Sequence, residues 1–259
     1  MVQQSNQDII APEDGHADHS IAAGHAGLAV WQDTCPYLKD RLSTTEGLSV
    51  DVLPSDIYQV LLDRGFRRSG RVLYRPRCHG CQQCVPIRVN VADFRPNKSQ
   101  RRCWRANQDL RVTVAQPSLT QEKWQLYDRY VRTRHGEVAD TSIGAMEQFL
   151  YDSPAKSLEM TYRDPAGRLL AVGLCDQGAD FLSTVYSYFE PAERHRSLGT
   201  FTALWEIAFA RNPPLGYYYL GFLITGCRAM RYKATFRPFE LLGEDGVWRS
   251  GQALRPIIA

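Results

Sequence analysis

The amino-acid sequence predicts an α/β (α+β) fold, in which a mixed sheet with helices follows a smaller, cysteine-containing N-terminal domain. The second half of the chain alternates strand-like and helix-like segments, which is typical of layered architectures. The first half concentrates cysteines and arginines in one short stretch. With 259 residues, of which 44% are hydrophobic and 23% charged, the chain can bury a substantial core and has a globular composition.

Three parts are expected along the chain. Residues 1–26 are polar, rich in Ala, Gly and His and without periodicity, so they predict a disordered leader. Residues 27–118 form the predicted cysteine- and arginine-rich domain, and residues 119–259 the mixed-sheet domain. The sequence lacks a run of about 18 apolar residues and a secretory signal, so we expect no membrane span and a cytoplasmic location.

A short helix is predicted to begin at Ser55, which can act as its cap, and to end at Gly65. Its apolar face is expected to consist of Ile57, Val60 and Leu61. Strands and a cysteine-rich loop are predicted between Leu73 and Phe94. Thr120 can cap a further helix that reaches about His135.

The remaining elements are predicted from apolar periodicity and turn residues. They are a helix over Ile143–Tyr151, strands over Ser157–Tyr162, Leu169–Leu174 and Phe181–Phe189, a helix over Leu198–Arg211 and a strand over Tyr217–Phe222. A hairpin, a strand, a helix and a strand in this order favour the α/β or α+β class.

Positive charge is concentrated in one segment. Between Arg64 and Arg105 there are twelve Arg and Lys residues and a single acid, Asp93, so the segment carries +11 while the rest of the chain carries −8. A field of this size attracts polyanions, which favours a nucleic-acid or anion-binding role over a merely solvated basic face.

The seven cysteines form an odd number, which argues against a disulfide framework. The spacing Cys78-x-x-Cys81-x-x-Cys84 lets three thiolates face one zinc ion or iron–sulfur cluster, with Cys35 or Cys103 as the fourth ligand. The alternative is a packed loop of reduced thiols. Neighbouring arginines are expected to lower the pKa values of these thiols.

Two groups of basic residues can bind anions. Arg75, Arg77, Arg88, Arg101 and Arg102 suit carboxylates or phosphates, with surface ion pairs as the alternative. Arg228, Arg231, Lys233 and Arg237 are interleaved with Tyr232 and Phe236. This second pattern suits unstacked bases at a nucleic-acid end, or a basic helix packed on an acidic patch of its own domain.

The segment from Phe181 to Phe222 resembles the acyl-CoA N-acetyltransferase layout of strand, glycine-containing turn, helix and strand. In that family the turn offers backbone N–H groups to a pyrophosphate. The corresponding residues here are Arg196-Ser-Leu-Gly199-Thr-Phe201. Phe201 is expected to fill the space that Gly or Ala leaves open, which weakens coenzyme A binding while keeping the acyl-transfer scaffold.

Taken together, the motifs resemble the tRNA-dependent protein aminoacyltransferases, and more closely the bacterial aspartate/glutamate leucyltransferases, which are related to the arginyl-tRNA–protein transferases. The matching segments include YRPRCHGCQQCVPIRV, FRPNKSQRRCWRANQDL, STVYSYFEP, SLGTFTALWEI, YYYLGF and ITGCRAMRYKATFRPFELL. They run from about Trp31 to Leu242. The arginyl relatives have a second cysteine where this chain has Leu38, in Cys35-Pro-Tyr-Leu38.

The resemblance implies an acetyltransferase-like second domain and an aminoacyl-transfer reaction. Leucyl-tRNA donates leucine to the α-amine of an acceptor protein that begins with Asp or Glu, and the product is marked for N-degron proteolysis. The chemistry requires no cofactor, because the ester is already activated. A zinc or iron–sulfur site remains an additional expectation.

Roles can be assigned to individual residues on this basis. Asp176 and Asp180 are candidates for orienting the amine, and Tyr186 and Ser187 for holding the oxyanion or the leaving ribose oxygen. The acidic acceptor side chain is expected to bind Arg75, Arg77 or Arg88. The expected tRNA-binding residues are Gln100, Arg101, Arg102, Arg228, Arg231 and Lys233. The expected metal ligands are Cys35, Cys78, Cys81 and Cys84.

Three alternatives remain at this level. An arginyl-tRNA–protein transferase would use the same acceptors with a different donor. A coenzyme-A-dependent N-acetyltransferase would bind acetyl-CoA. A non-enzymatic nucleic-acid module built on a zinc knuckle would show no turnover, and it leaves the C-terminal motifs unexplained.

Overall fold

The computed structural model describes residues 28–135 and 140–251. Its strands are β1 (Ala29–Thr34), β2 (Leu42–Ser49), β3 (Arg67–Ser69), β4 (Val72–Pro76), β5 (Val85–Asn90), β6 (Arg111–Ala115), β7 (Ser157–Arg163), β8 (Leu169–Gln177), β9 (Phe181–Phe189), β10 (Tyr217–Leu223), β11 (Glu240–Leu242) and β12 (Trp248–Ser250). Its helices are α1 (Ser55–Asp63), α2 (Lys98–Arg105), α3 (Gln121–His135), α4 (Ile143–Met146, followed by a π-helical turn over Glu147–Tyr151) and α5 (Leu198–Phe209). The predicted leader, residues 1–26, lies outside the described residues.

These strands form two sheets. The smaller sheet has the order β1-β2-β4-β3, and the larger has the order β12-β11-β5-β10-β9-β8-β7-β6. Neighbouring strands are antiparallel except for β9 and β10, which are parallel and connected through α5. The predicted α/β class with a mixed sheet is therefore confirmed.

Helices cover both faces of the larger sheet. Strand β8 is buried along Leu169–Asp176, as its continuous apolar run predicts for a strand covered on both sides. Leu170 belongs to a hydrophobic cluster that includes side chains of α5, whereas Val172 belongs to a second cluster that includes side chains of α3. No helix of residues 28–135 and 140–251 is long and apolar enough to cross a membrane.

The two sheets do not divide at residue 118. Strands β5 and β6 precede that position and lie in the larger sheet, where β5 pairs with β10 and β6 pairs with β7. The basic segment thus contributes one strand to the centre of the larger sheet. The division of the chain into residues 27–118 and 119–259 stays a prediction.

The predicted face of the first helix is wrong. Ile57 and Val60 are 51% and 47% exposed, while Tyr58 and Leu62 are buried. The reason is a contact distant in sequence, because the Tyr58 hydroxyl donates a hydrogen bond to Asp176 at 2.9 Å. Ser55 is the first residue of the helix and makes no capping hydrogen bond.

Strands β9 and β10 separate partway along their length. Their parallel pairing covers Tyr217 to Tyr219 opposite Phe181 to Ser183. Beyond Tyr219 the register of β10 shifts, and Gly221 adopts φ +82°, a conformation that L side chains rarely adopt. The remaining parts of the two strands diverge and open a gap in the sheet.

Candidate functional site

An open cleft of about 2640 Å³ lies where β9 and β10 diverge. Residues of the smaller sheet and of the cysteine loop line the cleft, together with residues of strand β9 and of the start of α5. Residues that are far apart in sequence therefore face one space, which is large enough for two reactants to meet.

Two buried cations lie at the divergence of the strands. Arg67 Nη1 donates to Ser183 Oγ at 2.8 Å, and Arg67 Nη2 donates to the Thr184 carbonyl. Lys233 Nζ donates to the Phe222 carbonyl at 3.0 Å. Both Arg67 and Lys233 are 8% exposed and both line the cleft. Within the described residues, neither has a carboxylate oxygen within 4.0 Å.

Gly221 lies beside both cations. A Cβ atom at this position would be 3.4 Å from Lys233 Nζ and 3.5 Å from Arg67 Nε. Burial, and secondarily the charge of Arg67, lowers the pKa of Lys233 to about 7. The direction of this shift agrees with the absence of a carboxylate oxygen within 4.0 Å of Lys233 Nζ in the described residues.

Tyr186 and Ser187, two predicted catalytic residues, line the cleft along β9. The Tyr186 ring packs against Tyr127, Tyr130 and Phe149, with centroid distances of 6.3, 6.3 and 5.3 Å. Burial raises the pKa of Tyr186 well above its ordinary value. The phenol therefore stays protonated and can act only as a neutral hydrogen-bonding group.

Asp180 occupies the turn before β9 and is exposed outside the cleft. Its Oδ1 accepts a hydrogen bond from the Gly216 amide at 2.7 Å, which fixes the start of β10. This contact gives Asp180 a local structural role at the opposite end of the strand from the cleft.

Asp176 is fully buried and does not line the cleft. Its two oxygens accept hydrogen bonds from Arg68 at 2.7 and 2.9 Å, from Tyr58 at 2.9 Å and from Ser157 at 2.6 Å. The carboxylate that we expected to orient an amine is thus enclosed in an ion-pair network that joins the smaller sheet to the larger one.

Two of the predicted acceptor-binding arginines already have a carboxylate partner. Arg75 and Arg77 both donate to Glu46 on β2, Arg77 at 3.0 Å. The Arg75 guanidinium also stacks on the Phe66 ring, 4.5 Å from its centroid. Both arginines line the cleft, but an incoming carboxylate would have to compete with Glu46.

Arg88, the third predicted acceptor-binding residue, lies outside the cleft. It donates to Glu240 at 2.7 Å and to Asp63 at 2.6 Å. Its guanidinium lies between the rings of Tyr217 and Trp248, at 3.8 and 4.2 Å from the centroids. Through these contacts Arg88 links β5 to β11 and α1.

The predicted tRNA-binding residues are placed in two different regions. Gln100 is buried and forms a capping box with Asn97 at the start of α2, so it serves the helix. Arg101 and Arg102 are exposed on that helix, away from the cleft. Among the downstream residues Arg228, Arg231 and Lys233, two line the cleft: the exposed Arg228 and the buried Lys233.

The thiols of Cys35, Cys78, Cys81 and Cys84 are near one another beside the cleft. Burial, followed by the proximity of the other three thiols, raises the pKa of Cys84 to about 12. The expectation that arginines lower this pKa is therefore wrong. Cys103 is placed elsewhere, with its Sγ 3.6 Å from the carbonyl oxygens of Arg196 and Ser197.

The start of α5 differs from the predicted phosphate turn. Phe201 is 3% exposed and packs in the core against Trp104 and Tyr162, so it does not fill the turn as expected. The Phe189 ring instead packs against the glycine of this turn, since a Cβ at Gly199 would lie 2.9 Å from it.

Comparison with known proteins identifies the family. The N-terminal model of the arginine-tRNA-protein transferases matches residues 33–102, and the C-terminal model matches residues 122–243. The chain belongs to the arginine-tRNA-protein transferase family. The resemblance seen in the sequence is thereby confirmed, over both the cysteine-rich segment and the larger sheet.

Two relatives are known as aspartate/glutamate leucyltransferases. The protein from Hahella chejuensis is 39% identical over 214 residues, which cover 82% of this chain and 91% of the relative. The protein from Pseudomonas putida strain W619 is 44% identical over 213 residues, which cover 81% and 90%. The crystal structure of FemX has a TM-score of 0.42 at 10% identity, covering 75% of this chain and 79% of that one.

The metal site remains a prediction for this member of the transferase family. The thiols of Cys35, Cys78 and Cys81 are close enough to Cys84 to influence its pKa. However, no group of three or more His, Cys, Asp or Glu side chains in the described residues is arranged to hold a metal ion. The Cys78 Sγ accepts a hydrogen bond from the Thr44 amide at 3.3 Å, and as a protonated thiol it donates to the Thr44 carbonyl at 3.7 Å. The thiols as placed thus do not fit a closed tetrahedral site.

Metal content tests the thiol cluster directly. If the loop binds zinc or an iron–sulfur cluster, Cys78→Ser is expected to lower the zinc or iron content per chain, measured by elemental analysis, because it removes one ligand. Cys103→Ser is the matched control and should leave the content unchanged. An active wild-type protein that contains no metal would contradict the metal site.

Sequence reasoning missed several cleft cations. The sequence does not distinguish Arg67 from the adjacent Arg68, although Arg67 donates to Ser183 and Arg68 donates to Asp176. Arg134 and Arg194 line the cleft as exposed side chains, and in the described part of the chain neither lies within 4.0 Å of a carboxylate oxygen. Arg67, Arg134 and Arg194 are far apart in sequence, and only the three-dimensional structure shows that they line the same cleft.

Proposed function

We propose that this protein transfers leucine from leucyl-tRNA to the N-terminal Asp or Glu of acceptor proteins and so marks them for degradation. Membership of the arginine-tRNA-protein transferase family supports tRNA and a protein as the two substrates. The relatives known as aspartate/glutamate leucyltransferases support leucine as the donor group and Asp or Glu as the acceptor residue.

The observation that carries this proposal is the single cleft with two kinds of cation. Arg134, Arg194 and Arg228 are exposed at its rim, where they can bind the phosphates of a tRNA end. Arg67 and Lys233 are buried further in. A cleft with this charge distribution suits a long polyanion at its mouth and a smaller anion inside.

The reaction needs positioning more than activation. The neutral acceptor amine attacks the ester carbonyl carbon, the new C–N bond forms, and the ribose oxygen leaves with the electron pair of the broken C–O bond. The amine proton is released and the ribose oxygen is protonated, so the step is neutral overall. In this proposal Ser187 and the Tyr186 hydroxyl on β9 orient the ester within the cleft.

A transfer assay tests the proposed donor and acceptor together. The protein is incubated with radiolabelled leucyl-tRNA or arginyl-tRNA and with peptides that begin with Asp, Glu, Arg or Ala. We expect label from leucyl-tRNA on the Asp and Glu peptides, and none on the Arg and Ala peptides. Labelling from arginyl-tRNA would assign the donor to arginine, and the absence of labelling with every pair would contradict aminoacyl transfer.

Acetyl-CoA is the control donor. Its binding, measured by calorimetry, is expected to be undetectable, because the Phe189 ring packs against Gly199 at the start of α5, where an acetyltransferase offers backbone N–H groups to a pyrophosphate. Acetyl transfer to the same peptides would favour the N-acetyltransferase alternative.

A further inference from the structure

The cleft contains an electrostatic imbalance at the divergence of β9 and β10. Arg67 and Lys233 are both buried, and a Cβ at Gly221 would be 3.4 Å from Lys233 Nζ and 3.5 Å from Arg67 Nε. Within the described residues neither has a carboxylate oxygen within 4.0 Å. A buried charge without a counter-ion is costly, and folds usually pair it. An unpaired pair of cations facing a cleft therefore points to an anionic ligand.

Other buried arginines of this protein illustrate the contrast. Arg68 is paired with Asp176, and Arg88 is paired with Glu240 and Asp63. The fold thus supplies carboxylates to arginines that hold elements together. By contrast, Arg67 and Lys233 donate hydrogen bonds only to neutral acceptors, which are the Ser183 hydroxyl and two backbone carbonyls, within the described residues.

The two cations are also held in fixed positions. Hydrogen bonds to Ser183 and to the Thr184 carbonyl orient the guanidinium of Arg67, and the Phe222 carbonyl orients the ammonium of Lys233. Gly221 adds no side chain beside them, whereas a Cβ at this position would be in van der Waals contact with both. Preorganised donors of this kind discriminate between ligands because little entropy is lost on binding.

We propose that Arg67 and Lys233 bind the side-chain carboxylate of the acceptor's N-terminal Asp or Glu. The assignment rests on the proposed aminoacyl transfer. It replaces Arg75, Arg77 and Arg88 as the acceptor-reading residues, because those three are already paired with carboxylates of the fold. It also moves Lys233 from tRNA binding to acceptor recognition.

A carboxylate fits these residues better than a tRNA phosphate does. Phosphates of a nucleic-acid backbone are bulky and solvated, and the exposed rim arginines Arg134, Arg194 and Arg228 suit them. Arg67 and Lys233 are each 8% exposed, so they are accessible only to a small group that enters the cleft. A guanidinium and an ammonium together can donate to both oxygens of one carboxylate.

The test compares two acceptor peptides that differ only in charge. The ratio of kcat/KM for a peptide beginning with Asp to that for its Asn counterpart is measured with leucyl-tRNA. Lys233→Met is expected to lower this ratio about tenfold to a hundredfold, because one charge-assisted hydrogen bond to the carboxylate is lost. Lys233→Gln keeps a hydrogen-bond donor without the charge and should also lower this ratio. It provides a second test in case Lys233→Met does not fold.

The ratio separates the inference from the proposed function. Arg249→Gln is the control, since Arg249 lines the cleft but is paired with Asp245, and its ratio should equal that of the wild type. Wild-type protein that labels no peptide would contradict the proposed function. If the Lys233 variants still transfer leucine and their ratio equals that of the wild type, the inference is overturned. It is also overturned if kcat/KM falls equally for both peptides and in parallel with the affinity for tRNA. A collapse of the ratio in Arg77→Gln, with Lys233→Met unaffected, would return acceptor recognition to Arg77.

Discussion

Replacing Asp176 with Ala is expected to lower the free energy of unfolding by about 3–5 kcal/mol, because the change leaves a buried guanidinium without its counter-ion. Arg68 is 4% exposed, and Asp176 accepts two of its N–H groups at 2.7 and 2.9 Å. Tyr58 and Ser157 would each lose an acceptor as well. Urea denaturation followed by circular dichroism measures the effect.

A surface carboxylate provides the matched control. Asp109 pairs with Arg196 at 2.8 Å and is 38% exposed, so Asp109→Ala should change the stability by no more than about 1 kcal/mol. Equal losses for Asp176→Ala and Asp109→Ala would contradict the buried network as a source of stability.

A double variant distinguishes a structural Asp176 from a catalytic one. Adding Arg68→Met to Asp176→Ala removes the stranded charge and should recover much of the lost stability. If leucine transfer returns together with stability, Asp176 acts through the fold. A stable double variant without transfer would restore the original prediction that Asp176 orients the amine.

Apolar periodicity was enough to predict the elements that build the larger sheet. Strands β8 and β9 and helix α5 carry long apolar runs that are buried by the sheet and its covering helices, so their positions follow from local sequence. Helix α2 and the strands β1, β2, β3, β6, β11 and β12 were not predicted. Strand β1 is largely exposed, and strands β3, β11 and β12 have three residues each, so these four carry no strong alternating pattern.

Side-chain pairing could not be predicted in the same way. Arg88 lies 152 residues from Glu240, and Arg67 lies 116 residues from Ser183. A sequence that places twelve basic residues beside one acid therefore gives no indication of which arginines the fold neutralises. That distinction depends on strand register, and it decides which cations remain for a ligand.

Glu206 is expected to make stability fall as the pH rises from 5 to 8. It lies on α5, is 1% exposed, and receives a hydrogen bond from the Tyr218 hydroxyl, while its Oε1 has no hydrogen-bond partner in the described structure. Burial raises the pKa of Glu206 to about 7 from an ordinary value of 4.5. Since the unfolded chain ionises first, the native state loses stability from about pH 4.5 upward, and the loss is complete above about pH 7.

Replacing Glu206 with Gln removes this titration. The Tyr218 hydroxyl keeps an acceptor in this variant. As the pH rises from 5 to 8, the free energy of unfolding of the variant should increase relative to that of the wild type by about 3 kcal/mol. Urea denaturation at pH 5 and pH 8 measures the difference. Glu122→Gln is the control, because Arg163 lowers the pKa of Glu122 and places its titration below this range. Parallel pH profiles for the wild type and Glu206→Gln would show that Glu206 is ionised throughout, and that the hydrogen bond from Tyr218 outweighs burial.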